Sequence, residues 1–469
     1  RRIEVPRGKM LGGSSSINGM VYIRGQAQDY DHWAQLGNRG WSWQDVLPVY
    51  KRMENYDGGS DELRGRKGPL RVTDTPRHKI PLLETMIEAA NKIGLPFNPD
   101  LNGVTQEGIG MSQVTIAKGR RQSTAFCYLD PARGRRNLAI EQGALAETLI
   151  LEGKRCVGVR YSVNGGKREA RATREVIVCS GSINSPKLLE LSGIGQGPPL
   201  RSHAIAPVHE LGGVAENLRD HYSPRVKFAI TARNATFNDN ARGWRLAREA
   251  LKYALWGEGF LATTSVPIRM YFRTRPGLET PDATISILPF LYEMVGRERR
   301  IAKRRGITMN VNVLRSESTG SVHVKSADPA APPAIRFNFL SARADREGLL
   351  AAIRKGRELM ATSPLKELTG EEIAPGARLT TDDEILDWVR NNAETTYHPV
   401  GTCKMGADPM AVVDHELKVH GIQGLRVADA SIMPTLTSGN TNAPCIMIGE
   451  KCAEMVLAAA AAPERKAAA

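Results

Sequence analysis

Two short apolar strands, set far apart in the chain, constrain the fold more than any other feature. Glu175-Val176-Ile177-Val178-Cys179 runs into Gly181 and a helix expected from Ser185-Pro186. Leu425-Arg426-Val427-Ala428 runs into Asp429-Ala430 and a helix expected from Asn442 to Ala458. Continuous apolar strands that turn into helices belong in a parallel sheet, whose ligands bind beyond the carboxyl ends of the strands. Between about Tyr222 and Thr395 the pattern changes. Arg225 to Ile230 and Ile307 to Val313 alternate polar and apolar residues, the period of antiparallel strands with one wet face. The expected architecture is therefore a discontinuous nucleotide-binding domain with a substrate domain inserted into it. Helices are expected over Pro81–Ile93, with Leu83, Met86, Ile87, Ala90 and Ile93 on one face, and after the capping box Thr381-Asp382-Asp383-Glu384.

A chain of 469 residues, 41% hydrophobic and 24% charged, is ordinary globular material and long enough for more than one domain. It has no run of eighteen apolar residues, which excludes a membrane-spanning helix and leaves at most peripheral membrane association. Lys+Arg 64 against Asp+Glu 50 gives a net charge of +14. The excess is scattered, and its densest clusters, Arg133–Arg136 and Arg297–Arg305, hold no stacking aromatic, so no nucleic-acid partner is expected. Six cysteines without a C-x-x-C spacing read as reduced thiols of a cytoplasmic protein. Val456–Ala462, followed by Pro463, Glu464 and Arg465, reads as a fraying helix end. No histidine pair has metal-ligand spacing, and no metal is expected.

The most informative stretch is Gly8-Lys9-Met10-Leu11-Gly12-Gly13-Ser14-Ser15-Ser16-Ile17-Asn18-Gly19-Met20-Val21-Tyr22-Ile23-Arg24-Gly25. Paired glycines let backbone amides approach a ligand closely, and serine hydroxyls add donors. The run resembles the signature of the glucose–methanol–choline (GMC) oxidoreductases, FAD-dependent alcohol oxidases and dehydrogenases. Further segments match in order: Asn137–Val159, with Ala146 at the adenine position; Gly181–Gly195; Leu211–His221; Tyr397–Cys403; and Val427–Pro434 through Asn440–Pro444. The resemblance implies a mixed α/β fold, a doubly wound FAD-binding domain (1-60, 113-221 and 396-460) and an inserted antiparallel-sheet substrate domain (61-112 and 222-395). It implies FAD contacts from Gly12, Gly13, Ser14, Asn18, Gly19, Met20, Val21, Ala146, Tyr397, Asp429, Ala430 and Ala443.

The family's opening strand–Gly-x-Gly-x-x-Gly–helix unit has no counterpart here, and Gly193-Ile194-Gly195-Gln196-Gly197-Pro198 follows a helix and is a decoy. The chain is thus expected to be a fragment that binds FAD poorly by itself. Some relatives attach FAD through a histidine just before the signature Asn; that position is Ile17, so the FAD is expected to be non-covalent.

His398 occupies the position of the family's catalytic histidine, and an imidazole of ordinary pKa suits the abstraction of an alcohol proton near neutrality. Asn442 is expected to cap the following helix and to bind the alcohol oxygen opposite His398. Asp220-His221, neighbours on an expected exposed turn, receive no role. The implied reaction is oxidation of a primary alcohol to an aldehyde by hydride transfer to FAD, with oxygen or a quinone or dye as acceptor. A small neutral alcohol is expected, the alternatives being a choline-specific dehydrogenase and an inactive remnant serving as a scaffold.

Overall fold

The computed structural model describes residues 1–295 and 298–461; Arg297 and the Ala462–Arg465 tail of the sequence reading lie outside them. The glycine-rich loop is followed by α1 (Ala27–Gln35) and α2 (Trp43–Met53), each opened by a capping box: Gln26 with Asp29, and Ser42 with Asp45. α3 spans Leu83–Lys92 and buries Leu83, Met86, Ile87 and Ala90, the face read from the sequence. After the strand β1 (Gly108–Met111) comes an antiparallel meander, β2 (Ala144–Glu152), β3 (Arg155–Val163) and β4 (Gly166–Arg171).

β5 (Val176–Val178) then leads into α4 (Gly181–Leu191). The helix starts earlier than the Ser185-Pro186 start expected, and so carries Pro186 in its interior. A proline there deprives the carbonyl four residues back of its donor. Thr402 Oγ1 donates to the Ser182 carbonyl at 2.7 Å in its place.

The next strands are β6 (Arg225–Ile230), β7 (Ile268–Phe272), β8 (Ala283–Leu288), β9 (Gly306–Val313) and β10 (Thr369–Ala374). With β1 they form a six-stranded antiparallel sheet in the order β10-β6-β9-β8-β7-β1. Its lower face, including Val226, Met270, Ile285, Ile287, Met309 and Val311, packs on α3 and the long helix α6 (Arg343–Met360). Between β6 and β7 the chain forms α5 (Gly243–Trp256). The alternation of β6 and β9 is as read, but the polar face is not wet. Thr284, Ser286, Thr308 and Asn312 on that face are buried, because it forms the floor of a cavity.

α7 (Asp382–Asn392) has Thr381 as its cap, Thr381 Oγ1 accepting from the Glu384 N–H. β11 (Leu425–Val427) then pairs parallel with β5, Val176 opposite Leu425 and Val178 opposite Val427, and α8 (Asn442–Ala461) closes the described chain. A second core surrounds this parallel pair, built from Trp33, Trp41, Leu189, Val412, Val427, Met447 and their neighbours. Beneath it, Glu54 is wholly buried between Arg24, at 2.7 Å, and Arg64, at 2.9 Å.

Candidate active site

A cavity of about 960 Å³ runs from the carboxyl ends of β5 and β11 to the polar face of the six-stranded sheet. Gly12, Gly13, Ser14, Asn18, Gly19, Met20 and Val21 line one wall, Gly181 and Ser182 with Asp429 and Ala430 another, and Tyr397, His398 and Asn440 the junction with the sheet. Of the residues expected at the cofactor, Ala146 lies on β2 and Ala443 is buried in α8, both outside the lining.

The glycine loop is shaped largely by its own serines. Ser15 Oγ donates to the Gly12 carbonyl at 2.6 Å and accepts from the Thr124 N–H at 3.0 Å; Ser16 Oγ donates to the Leu11 carbonyl at 2.8 Å. Ser14 Oγ accepts from the Gly8 N–H at 3.2 Å. Arg121 clamps the loop from behind through the Ser15 and Asn18 carbonyls and Asn18 Oδ1. Gly13 (φ +53) and Gly181 (φ +80) are left-handed, and the space beside each is open for 4 Å. A side chain at either would take room from whatever fills the cavity. Ser182 Oγ, on the same wall, is buried without a partner. These residues fit the flavin-bearing half of a dinucleotide: a cleft with backbone at close approach, an orphaned hydroxyl, and the first residues of α4 and α8 on its wall.

Asp429 holds the two crossover loops together. Its Oδ2 accepts from the Gly181 N–H at 2.9 Å and from Ser185 Oγ at 2.5 Å, and its Oδ1 from the Ser431 N–H at 2.8 Å. The carboxylate is thus fully engaged by protein donors.

His398 follows Tyr397, whose backbone is left-handed (φ 67) and whose carbonyl accepts from Arg7. The imidazole is gripped on both sides. His398 Nδ1 lies 3.0 Å from His221 Nδ1 and 2.9 Å from Thr396 Oγ1; its Nε2 lies 3.0 Å from Asn440 Nδ2. Two chains of donors assign its protons. The Leu314 carbonyl, 2.8 Å from His221 Nε2, can only accept, so His221 carries its proton there and offers a bare Nδ1. His398 must then donate from Nδ1, leaving Nε2 bare. From the other side Arg269, which can only donate, binds Asn440 Oδ1, so the Asn440 NH₂ faces His398 Nε2 and again requires it bare.

Burial, reinforced by His221, Arg269 and Arg7, holds the His398 imidazole well below its usual 6.5. Burial also takes His221 down to about 4, against its bond to Leu314. Both rings are therefore neutral at physiological pH. Asp220 lies beneath them, accepting from the His398 N–H at 3.0 Å and from the Thr395 hydroxyl. Burial pushes its carboxyl up to about 7, opposed by those donors and by Arg7.

Asp220 and His221 were missed because the turn expected to be exposed is buried; each is 1% exposed. The expected partnership of Asn442 with His398 is not what the structure brings together. Asn440 touches the imidazole, and Asn442, two residues on, is the first residue of α8 and lines the cavity. The helix is capped from Thr441, whose carbonyl accepts the Cys445 N–H. Pro444 was the available signal: proline favours the first turn of a helix, which draws Asn442 into the helix and leaves Asn440 free.

Comparison with known proteins agrees with this geometry. Models of the GMC oxidoreductase family match residues 1–223 and 316–449. The chain is 44% identical over 459 residues to an oxygen-dependent choline dehydrogenase of Brucella ovis, covering 97% of this chain and 83% of that protein. It is 43% identical to one of Pseudomonas fluorescens, covering 100% and 82%. Among solved structures, pyridoxine 4-oxidase from Mesorbium loti superimposes with a TM-score of 0.87 at 27% identity, covering 98% of this chain and 86% of that one. A formate oxidase variant from Aspergillus oryzae does so with 0.89 at 26%, covering 98% and 86%. With its loops, parallel strand pair and histidine in the places those matches span, the chain belongs to the GMC oxidoreductase family and is a flavin-dependent alcohol oxidoreductase.

Proposed function

We propose that the protein oxidises a primary alcohol to the aldehyde, with His398 Nε2 as the base that takes the hydroxyl proton. The observation that carries this reading is the bare Nε2 of a half-buried, neutral imidazole, fixed independently from the His221 and Asn440 sides. An alcohol oxygen that displaces the 3.0 Å bond between the Asn440 amide and Nε2 would donate to Nε2 and accept from the amide. The amide N–H then stabilises negative charge as it develops on that oxygen. The walls from Gly12 to Val21, Gly181–Ser182, Asp429–Ala430 and Asn442 would hold the FAD, which when bound supplies the acceptor for the hydride leaving the carbinol carbon.

Oxygen is the electron acceptor favoured by the relatives, named as oxygen-dependent. No helix among the described residues is long and apolar enough to cross a membrane. The test is anaerobic stopped-flow reduction of the bound flavin by benzyl alcohol and by short aliphatic alcohols. His398→Ala is expected to lose about 10²–10⁴-fold in rate, and an unchanged rate would remove His398 from the proton transfer.

A further inference from the structure

The polar floor of the cavity is a single row across the six-stranded sheet. Arg225 on β6 faces Asn310 on β9, Asn310 faces Ser286 on β8, Ser286 faces Arg269 on β7, and Arg269 faces Gly110 on β1. All but Gly110 line the cavity.

Arg269 is the member that the protein leaves unsatisfied. It is 4% exposed, its Nη1 donates to Asn440, and its buried Nε has no partner. No carboxylate among the described residues pairs with it, and the Tyr271 ring lies 5.2 Å from its Cζ. The Asn310 Oδ1 atom on the same face is also buried without a partner. A buried guanidinium with no counter-ion is costly, and the cost is relieved when an anion binds.

The neighbouring charges point the same way. Arg225 and Arg299 share one carboxylate, Glu394. The Tyr292 ring already carries Lys227 at 4.4 Å and Arg299 at 5.4 Å. The carboxylates of the lining, Asp429 and Glu450, stand at the other end, with the loops and α8. A quaternary ammonium here would meet arginines, no free carboxylate, and an aromatic face already covered by cations.

We propose that the substrate is an alcohol bearing a carboxylate close to its carbinol carbon, with Arg269 binding the carboxylate while His398 and Asn440 bind the hydroxyl. The inference rests on the alcohol-oxidation reading above and names the substrate class of that same site. Arg269 reaches His398 through Asn440 alone, so the anionic group and the reacting hydroxyl must be near neighbours. Planar bidentate recognition of a carboxylate is what a guanidinium with a free edge does best.

The test uses the FAD-loaded protein with 3-hydroxypropanoate, its methyl ester and choline as alternative reductants. The acid is expected to exceed both others at least tenfold in kcat/KM. Arg269→Gln should collapse the acid-to-ester ratio at least tenfold, whatever it does to the rate common to both. Propionate, which cannot be oxidised, should perturb the flavin absorbance of the wild type, with a dissociation constant at least tenfold weaker in Arg269→Gln. The proposal is overturned if choline or the ester matches the acid in the wild type, or if propionate binds both proteins alike. Should Arg269→Gln fail to fold, the wild-type substrate ranking decides. If no alcohol reduces the flavin, the oxidation reading fails, while propionate binding still decides whether the floor takes a carboxylate.

Discussion

Replacing His221 by phenylalanine separates the assignment of the His398 proton from the presence of the base itself. The substitution keeps a buried ring and deletes both hydrogen bonds of the imidazole, to His398 Nδ1 at 3.0 Å and to the Leu314 carbonyl at 2.8 Å. One neutral hydrogen bond is worth about 0.5–1.5 kcal/mol, a factor of roughly 2–12 in the population of the productive tautomer. Thr396 Oγ1, 2.9 Å from the same nitrogen, remains to accept. Flavin reduction should therefore slow about three- to tenfold, far less than on loss of His398. Stability responds as well, since the orphaned Leu314 carbonyl costs about 1–3 kcal/mol.

That stability gap must depend on pH. The folded imidazole titrates at about 4 against 6.5 unperturbed, so as pH falls the unfolded chain takes up its proton first. Wild type loses this contribution from about pH 6.5 downward, and phenylalanine has none to lose. At about 1.4 kcal/mol per pH unit, the gap should be widest above pH 7 and narrower by about 2 kcal/mol at pH 5. Urea unfolding at the two pH values and stopped-flow reduction above pH 7 measure both effects. A gap independent of pH would refute the buried neutral histidine, and a rate loss as large as that of His398→Ala would refute the positioning role.

Asn440→Ala should lower the flavin-reduction rate by about 10²-fold, the cost of one donor to a developing oxyanion, and Asn442→Ala by clearly less; equal losses would return Asn442 to the base's partnership. Because His398 is held well below 6.5, the acid limb of kcat/KM in the FAD-loaded protein should also lie below pH 6.5, and a limb at or above that value would contradict the burial argument. Glu54→Gln should destabilise the fold by about 3–5 kcal/mol in urea melts, since Arg24 and Arg64 then lose their common buried counter-charge. Acid precipitation should leave the flavin in the supernatant, because Ile17 on the cavity wall offers no nucleophile; a yellow pellet would show a covalent bond.

The features legible in the sequence were those written in local period and turn chemistry. The apolar runs at Val176–Val178 and Leu425–Val427 announce a parallel pair, the Thr381–Glu384 box announces α7, and the alternation in β6 and β9 gives an antiparallel sheet. His398 was legible through a segment signature. What surrounds it was not, because Asp220, His221 and Asn440 reach it only through long-range folding. Arg269 carried one faint signal, a cation inside the apolar strand Ile268-Arg269-Met270-Tyr271-Phe272. Its meaning depends on which face of which sheet it occupies, and that is a tertiary property. Alternation likewise distinguishes two faces without saying whether the polar one meets solvent or a ligand.

The placement of these missed residues has a common cause in the pairing of two chain passages that are far apart in sequence. The chain leaves the glycine-loop side at Arg219–Ser223 and returns at Glu394–Val400, and the two passages are paired: Tyr222 opposite Thr395, Ser223 opposite Glu394, and Arg219 bridged to Val400. The Thr396 N–H donates to the His221 carbonyl at 3.0 Å within the same pairing. Asp220 and His221 on the outgoing passage are thereby set against His398 on the returning one. The base sits where the two crossings meet, between the walls that fit the flavin and the sheet floor that carries Arg269. Without this pairing the sheet floor could stand unchanged, but His221 would not reach His398, so the register of the two passages itself determines the protonation state of the base.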